Sequence, residues 1–332
     1  MSFDYYASLD KVKSCPQQVN EGGLASGFVD GCSVWFCRDG QKNKARQSYM
    51  KRAAVELNPL EPELEPNFAP LPDSAWFGID VFFTLKSPWY SKDDRPFHVL
   101  DNPVRKDRVF GVPFMSAASW KGLLRWACRM QAGLFDHLER HNVKMDDWKD
   151  PPWIVHLFGN EKGEQENFCA GSLIFYPTWF NKIGFEVINP HSRTRRAGTQ
   201  PIYYEVVPAK TEGRLRLLYA PLPGENERDK VTPDHFIDNL IGSIKALLET
   251  YGFSAKRTAG WGTAEVDKWA GYTKTTAQPP KAEPRSKKKT LHSLQDLSAL
   301  VREQSSPGSF TSEDAEGFKA EMKSRIVWKR GD

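Results

Sequence analysis

Asp101 is a single carboxylate placed just ahead of three cations, Arg105, Lys106 and Arg108, in the stretch DNPVRKDR. A carboxylate in that setting can take a proton from a hydroxyl or hold a divalent metal ion. Cations beside it can stabilise negative charge that builds on a reacting group. The same spacing also suits an Asx-turn ahead of Asn102-Pro103, a frequent role for aspartate. His98, three residues upstream, is placed to assist as acid or base, although an isolated histidine is more often a surface or structural residue.

Two further stretches suit anions. The glycine loop GFSAKRTAGWG spans Gly252–Gly262. Glycines let backbone amides approach a phosphate closely, and Lys256 and Arg257 add charge. Its plain alternative is a glycine-rich hairpin without a ligand. The other stretch, PFMSAASWKGLLRWA, spans Pro113–Ala127. Small residues open a helix there, so unpaired N–H groups face outward, with Lys121 and Arg125 nearby. Its alternative is an ordinary helix start with solvated cations. Arg193, Arg195, Arg196, Lys210, Arg214 and Arg216 form another basic concentration, suited to salt-sensitive contacts with a phosphate backbone. His137 and His141 stand four apart without an HExxH pattern and read as a solvated face.

The elements that must position these residues are legible in the middle of the chain. WFGIDVFFTLK (76–86) reads as a strand. Ser116 caps a helix expected to run to about Arg140, with Trp120, Leu123, Leu124, Ala127, Leu134, Phe135 and Leu138 largely on one face. Lys121, Arg125 and Arg129 step by four and make a basic stripe. Residues 172–180, 185–188, 201–208 and 213–222 read as strands. Thr232-Pro233-Asp234 starts a second apolar helix that Gly252 ends as a left-handed cap. Residues 263–270 read as the last strand. The order predicts an α+β fold, a ferredoxin-like (RRM-like) βαββαβ core with an enlarged middle and terminal extensions. Two helices on one sheet face would leave the other face free, which suits RNA recognition.

Taken together, the motifs resemble the RAMP superfamily, the repeat-associated proteins of CRISPR effector complexes. Three stretches carry the resemblance, in order: Ser116–Arg125 at the helix start, Leu157-Phe158-Gly159 followed by Gly171 and Ser172–Phe175, and Gly260-Trp261-Gly262. The family's Pro-Gly at the helix start is replaced here by Ser116-Ala117. Residues about 76–270 are covered. The resemblance extends to the target-RNA-cleaving backbone subunits of type III complexes, in which an aspartate precedes a Pro-apolar-basic stretch. It therefore places the catalytic carboxylate on Asp101, with a divalent cation such as Mg²⁺ held by Asp101 and RNA phosphate. It implies RNA contacts by Arg105, Lys106, Arg108, Ser119, Lys121, Arg125, Lys256, Arg257, Gly260, Trp261 and Gly262. It implies a thumb hairpin over Asn189–Gly198 that carries Arg193, Arg195 and Arg196. The expected partners are guide RNA, target RNA, other RAMP subunits and a large polymerase-like subunit.

Alternatives stay open beside this reading. One is a non-catalytic RAMP subunit that caps or bridges the guide-RNA filament. Another is a metal-free, histidine-dependent guide-processing nuclease, and a third is an unrelated ferredoxin-like domain that binds a metabolite.

The bulk properties agree with a globular chain. Of 332 residues, 39% are hydrophobic and 27% charged, and no apolar run is long enough to span a bilayer. The net charge of +4 does not by itself imply nucleic acid; the distribution matters more. The N-terminus lacks the apolar segment of a secretory signal, so the expected location is cytoplasmic. Cys15, Cys32, Cys37, Cys128 and Cys169 are odd in number, lack framework spacing and are expected as reduced thiols. The chain divides into an N-terminal extension with a Pro-rich linker (1–75), an RNA-binding domain (76–272) and a polar linker with tail (273–332).

Overall fold

A computed structural model describes residues 15, 26–38, 40–54, 57, 66–68, 71–94, 98–107, 110–145, 147–160, 170–190, 201–221, 231–274 and 287–291. The first regular elements are helices α1 (Ser26–Phe36) and α2 (Lys42–Ala53). Strand β1 (Phe77–Leu85) follows, then the short β2 (Phe114–Met115) and helix α3 (Ala117–Gln131). After α4 (Leu134–Arg140) and α5 (Pro152–Phe158) come β3 (Leu173–Phe175), β4 (Thr178–Trp179), β5 (Gly184–Ile188), β6 (Ile202–Val206) and β7 (Glu212–Tyr219). Helix α6 (Ile237–Ala246), β8 (Ala264–Thr273) and β9 (Lys287–Leu291) complete the order.

The fold is α+β. Its main sheet is antiparallel, in the order β3-β7-β1-β8-β9. β1 lies at the centre because both its faces are apolar enough to be covered. Phe77, Ile79, Val81, Phe83 and Leu85 point one way, into the core that contains Trp120, Leu124 and Ala127 of α3 and Leu240, Ile241 and Ile244 of α6. The alternate residues Gly78, Asp80 and Phe82 point the other way.

That second face is not free, contrary to the expectation of an open RNA platform. The segment around Phe68 and Leu71 lies on it, packed with Leu218, Ala270 and Tyr272. Phe68 covers Gly78 so closely that an added Cβ would come within 2.6 Å of its ring. Arg214 and Arg216, expected as phosphate contacts, both pair with the fully buried Asp80, which also accepts from the Tyr272 hydroxyl. A buried charge must be paired, and this pairing draws both guanidinium groups onto Asp80.

Other local differences have plain causes. The helix expected to reach Arg140 breaks after Gln131, because Gly133 takes a left-handed conformation (φ 96°) and restarts the chain as α4. Residues 172–180 form β3 and β4 rather than one strand, with Tyr176-Pro177 between them. Gly252 has positive φ (73°) but extended ψ (158°), so it ends a π-turn over Leu247–Tyr251 without a left-handed cap.

The N-terminal helices pack on the segment ahead of β2 and on the β5–β6 pair, in a cluster that joins Val29, Cys32, Tyr49 and Ala53 to Val99, Leu100, Ile183, Phe185 and Tyr203. Cys15 and Cys32 are fully buried there, their Cα atoms 4.4 Å apart, and form a disulfide rather than the expected free thiols. Among the described residues no helix is long and apolar enough to cross a membrane.

Candidate nucleic-acid interface

The glycine loop lies between the start of α3 and strand β6, and the Asp101 segment runs along the same strand. Ser116 caps α3, its hydroxyl accepting from the Ser119 N–H at 3.2 Å, and the two hydroxyls lie 2.8 Å apart. The loop docks on this helix through aromatic contacts. Phe253 lies 4.8 Å from the Trp120 ring, and the Arg257 guanidinium sits over Trp126 at 4.7 Å.

Backbone bonds then tie the loop to residues 88–90. Gly262 N–H donates to the Pro88 carbonyl at 2.8 Å, and Ala255 N–H to the Tyr90 carbonyl at 2.8 Å. The loop can close this tightly only with glycine at its end. Gly262 has φ 81°, and a Cβ there would meet Ser254 backbone nitrogen at 2.5 Å.

On its other side the loop reaches β6. Lys256 lies 5.0 Å above the Tyr204 ring, and Trp261 meets the same ring edge-on at 5.6 Å. Burial, with charge from Tyr204, Glu205 and Asp93, pushes the neighbouring Tyr90 hydroxyl up to about 12, so it stays a neutral phenol. The Asp101 segment runs alongside β6 as well: Asn102 pairs with Tyr204, and Glu205 N–H donates to the Asn102 carbonyl at 3.0 Å.

Asp101 itself is well exposed, its side chain 70% accessible. Its carboxylate does not cap its own turn. Instead its Oδ2 faces a guanidinium nitrogen of Arg46 on α2, 3.5 Å away. His98 serves the backbone: its Nδ1 accepts from Leu100 N–H at 3.1 Å, and its ring meets Tyr49 edge-on.

A family model for the RAMP superfamily matches residues 82–265, more than half of the chain. The chain belongs to the RAMP superfamily. No curated protein matches it in sequence. Among solved structures, a chain from the cryo-EM structure of the type III-B Cmr-beta bound to cognate target RNA aligns at 15% identity, with a TM-score of 0.40. That alignment covers 75% of this chain and 70% of the other.

In this RAMP chain the expected site residues divide by what they touch. Lys121, Lys256 and Arg257 have no carboxylate partner among the described residues, and Gly122 opens onto empty space, with nothing within 4 Å of a Cβ placed there. Gly260 is equally open. Arg105 is at the surface and pairs with the exposed Asp94 at 2.8 Å. Arg125 is not a free member of a stripe. With Arg129 it clamps Asp150, through contacts of 2.6–3.0 Å. Burial raises the Asp150 pKa, but hydrogen bonds from Arg129, Trp148 and Arg125 outweigh it and hold the carboxyl below its usual value.

Lys106 is a correction. Its side chain is 1% exposed and its ammonium pairs with the fully buried Glu205, so it cannot reach an RNA strand. A lysine can be buried only with such a partner. Arg108, the thumb cations Arg193, Arg195 and Arg196, and Gly198 lie outside the described residues.

The motif Leu157-Phe158-Gly159…Gly171 has a packing reason: a Cβ on Gly171 would sit 2.5 Å from the Leu157 carbonyl oxygen. The structure also brings Arg46, which the sequence reading did not single out, to Asp101: it stands on the polar helix α2, and only the placement of that helix against the Asp101 segment brings the two together.

Proposed function

We propose that this RAMP protein is a subunit of a type III CRISPR ribonucleoprotein that binds guide RNA and cleaves complementary target RNA at Asp101. The observation that carries the reading is the convergence on β6. The glycine loop, whose Lys256 and Arg257 have no carboxylate partner among the described residues, packs on α3, which carries Lys121, and on the strand that the exposed Asp101 segment follows, and we read these as one band. Such a band reads sugar–phosphate rather than sequence, which a subunit that accepts any guide requires. The strand–helix–strand–strand–helix–strand order, with β1 between β7 and β8, supports reading the core as ferredoxin-like.

The reaction that fits an exposed carboxylate is attack by RNA's own 2′-hydroxyl. Asp101 takes the hydroxyl proton, and the O2′–P bond forms as the P–O5′ bond breaks. The leaving 5′ oxygen takes a proton from water. The products are a 2′,3′-cyclic phosphate and a 5′-hydroxyl. A divalent cation would have Asp101 as its protein ligand and would supply charge neutralisation at the phosphate. No cluster of three or more metal-binding side chains occurs among the described residues, so phosphate and water would complete its shell.

Guide RNA, target RNA, neighbouring RAMP subunits and a large polymerase-like subunit are the partners of this reading. A second reading, a non-catalytic subunit that caps the filament, is favoured by the N-terminal helices, which cover the flank of the β5–β6 hairpin through Tyr49, Phe185 and Tyr203. Asp101→Ala in the assembled complex separates the two. Loss of target cleavage with guide binding retained supports catalysis. Unchanged cleavage at every site leaves the capping role.

A further inference from the structure

We propose that Arg46, supplied by the N-terminal helix α2, is a phosphate-binding catalytic cation of the Asp101 site. The inference rests on the reading of Asp101 given above and adds a residue to it.

The placement is built, not incidental. Helix α2 is anchored by Tyr49, fully buried, whose hydroxyl donates to Glu205 at 2.6 Å. Arg46 lies one turn earlier on the same helix. Its guanidinium is 5.7 Å from the ring centroids of both Phe36 and Tyr203, which hold the plane from two elements. From there one nitrogen faces Asp101 Oδ2 at 3.5 Å, while Nε is buried with no partner among the described residues. A guanidinium carries five N–H donors in a fixed fork. One long contact to a 70%-exposed carboxylate leaves most of that fork unspent.

The fork matches the two non-bridging oxygens of a phosphodiester. A phosphate bound by Arg46 would set the adjacent 2′-hydroxyl beside Asp101, and the guanidinium would stabilise the dianionic phosphorane as the O2′–P bond forms. Electrostatic groups fixed in advance are worth most at that step. Arg46 needs to transfer no proton. The site would then be incomplete without residues 26–53.

The test uses the assembled ribonucleoprotein with matched target RNA, and compares Arg46→Ala, Arg46→Lys and Asp101→Ala in single-turnover cleavage and target binding. Arg46→Ala should lower the cleavage rate by about 100-fold, with target affinity changed about threefold or less. Arg46→Lys should recover part of the loss, and guanidinium chloride at non-denaturing concentration should stimulate Arg46→Ala but not Asp101→Ala. If Asp101→Ala cleaves like the unaltered complex, the Asp101 reading itself fails. If Asp101→Ala is inactive while Arg46→Ala and Arg46→Lys cleave within about twofold of normal, only the assignment of Arg46 is overturned. It is overturned equally if Arg46→Ala is inactive, melts early, and gains nothing from lysine or guanidinium, since Arg46 would then be a structural clasp.

Discussion

The ammonium of Lys106 is buried against the carboxylate of Glu205, ninety-nine residues further along the chain, and both side chains are sealed from water. Glu205 is shared more widely. It also accepts from the Val104 N–H and the Tyr49 hydroxyl, so the N-terminal helix, the Asp101 segment and β6 meet on one carboxylate. Removing one partner of such a pair strands the other charge. Lys106→Met should therefore cost about 3–5 kcal/mol of stability. It should leave the slope of log Kd for RNA against log salt concentration unchanged, since a buried lysine releases no counterion. Thermal melts and RNA titrations at several salt concentrations check both halves.

Acid should unlock the same contact. Burial raises the pKa of Glu205, but Lys106 beside it, with the charge of His98 and the hydrogen bonds from Lys106 and Tyr49, outweighs burial and holds it below the ordinary glutamate value. Asp150 is depressed in the same sense by its two arginines and Trp148. A carboxyl with a lowered folded pKa contributes stability that is complete above its unfolded value, about 4. That contribution is lost as pH falls through the folded value. The melting temperature should hold from neutrality to about pH 5 and then drop, and Glu205→Gln with Asp150→Asn should flatten that drop.

Two glycines should separate folding from binding. Gly262→Ala forces a Cβ into Ser254 at positive φ, and should destabilise the protein by about 2 kcal/mol or more. Gly122→Ala meets open space inside α3, where alanine is the better helix former, and should stabilise the fold by up to about 1 kcal/mol. If an RNA strand approaches the α3 entrance, Gly122→Ala should still weaken guide binding. Melting curves paired with guide-RNA titrations read the two effects apart.

The cysteines should respond unequally to alkylation. Burial pushes the Cys128 thiol up to about 12, whereas Cys37 is exposed. Iodoacetamide on the native protein, followed by peptide mapping, should label Cys37 and spare Cys128. Denaturation should expose Cys128. In the denatured protein Cys15 and Cys32 should label only after reduction, which also tests their pairing.

Much of the core was legible from short-range pattern. The alternation of Phe77–Leu85 and the apolar spacing of Trp120, Leu124 and Ala127 reflect faces buried against one sheet and one helix layer, and such periodicity is written locally. The glycine loop and the α3 entrance were legible for the same reason, as each is a property of a few adjacent residues. Helices α1 and α2 were not legible. The α2 stretch KNKARQSYMKRA is so polar that only Ala45, Tyr49 and Ala53 mark its buried face.

The sequence by itself determined which residues could do chemistry: the lone Asp101, the cations that follow it, and the glycines that let a loop close. Only the tertiary structure decided which of those cations are available. Lys106, Arg125, Arg214 and Arg216 look alike in sequence with Lys121 and Lys256, yet Glu205, Asp150 and Asp80 hold the first four. Those carboxylates lie from 25 to 136 residues away in the chain, and they pair because the fold buries them where an unpaired charge could not remain. Arg46 reaches Asp101 for the converse reason: fifty-five residues separate them in the chain, and only the packing of α2 on the Asp101 segment closes that gap.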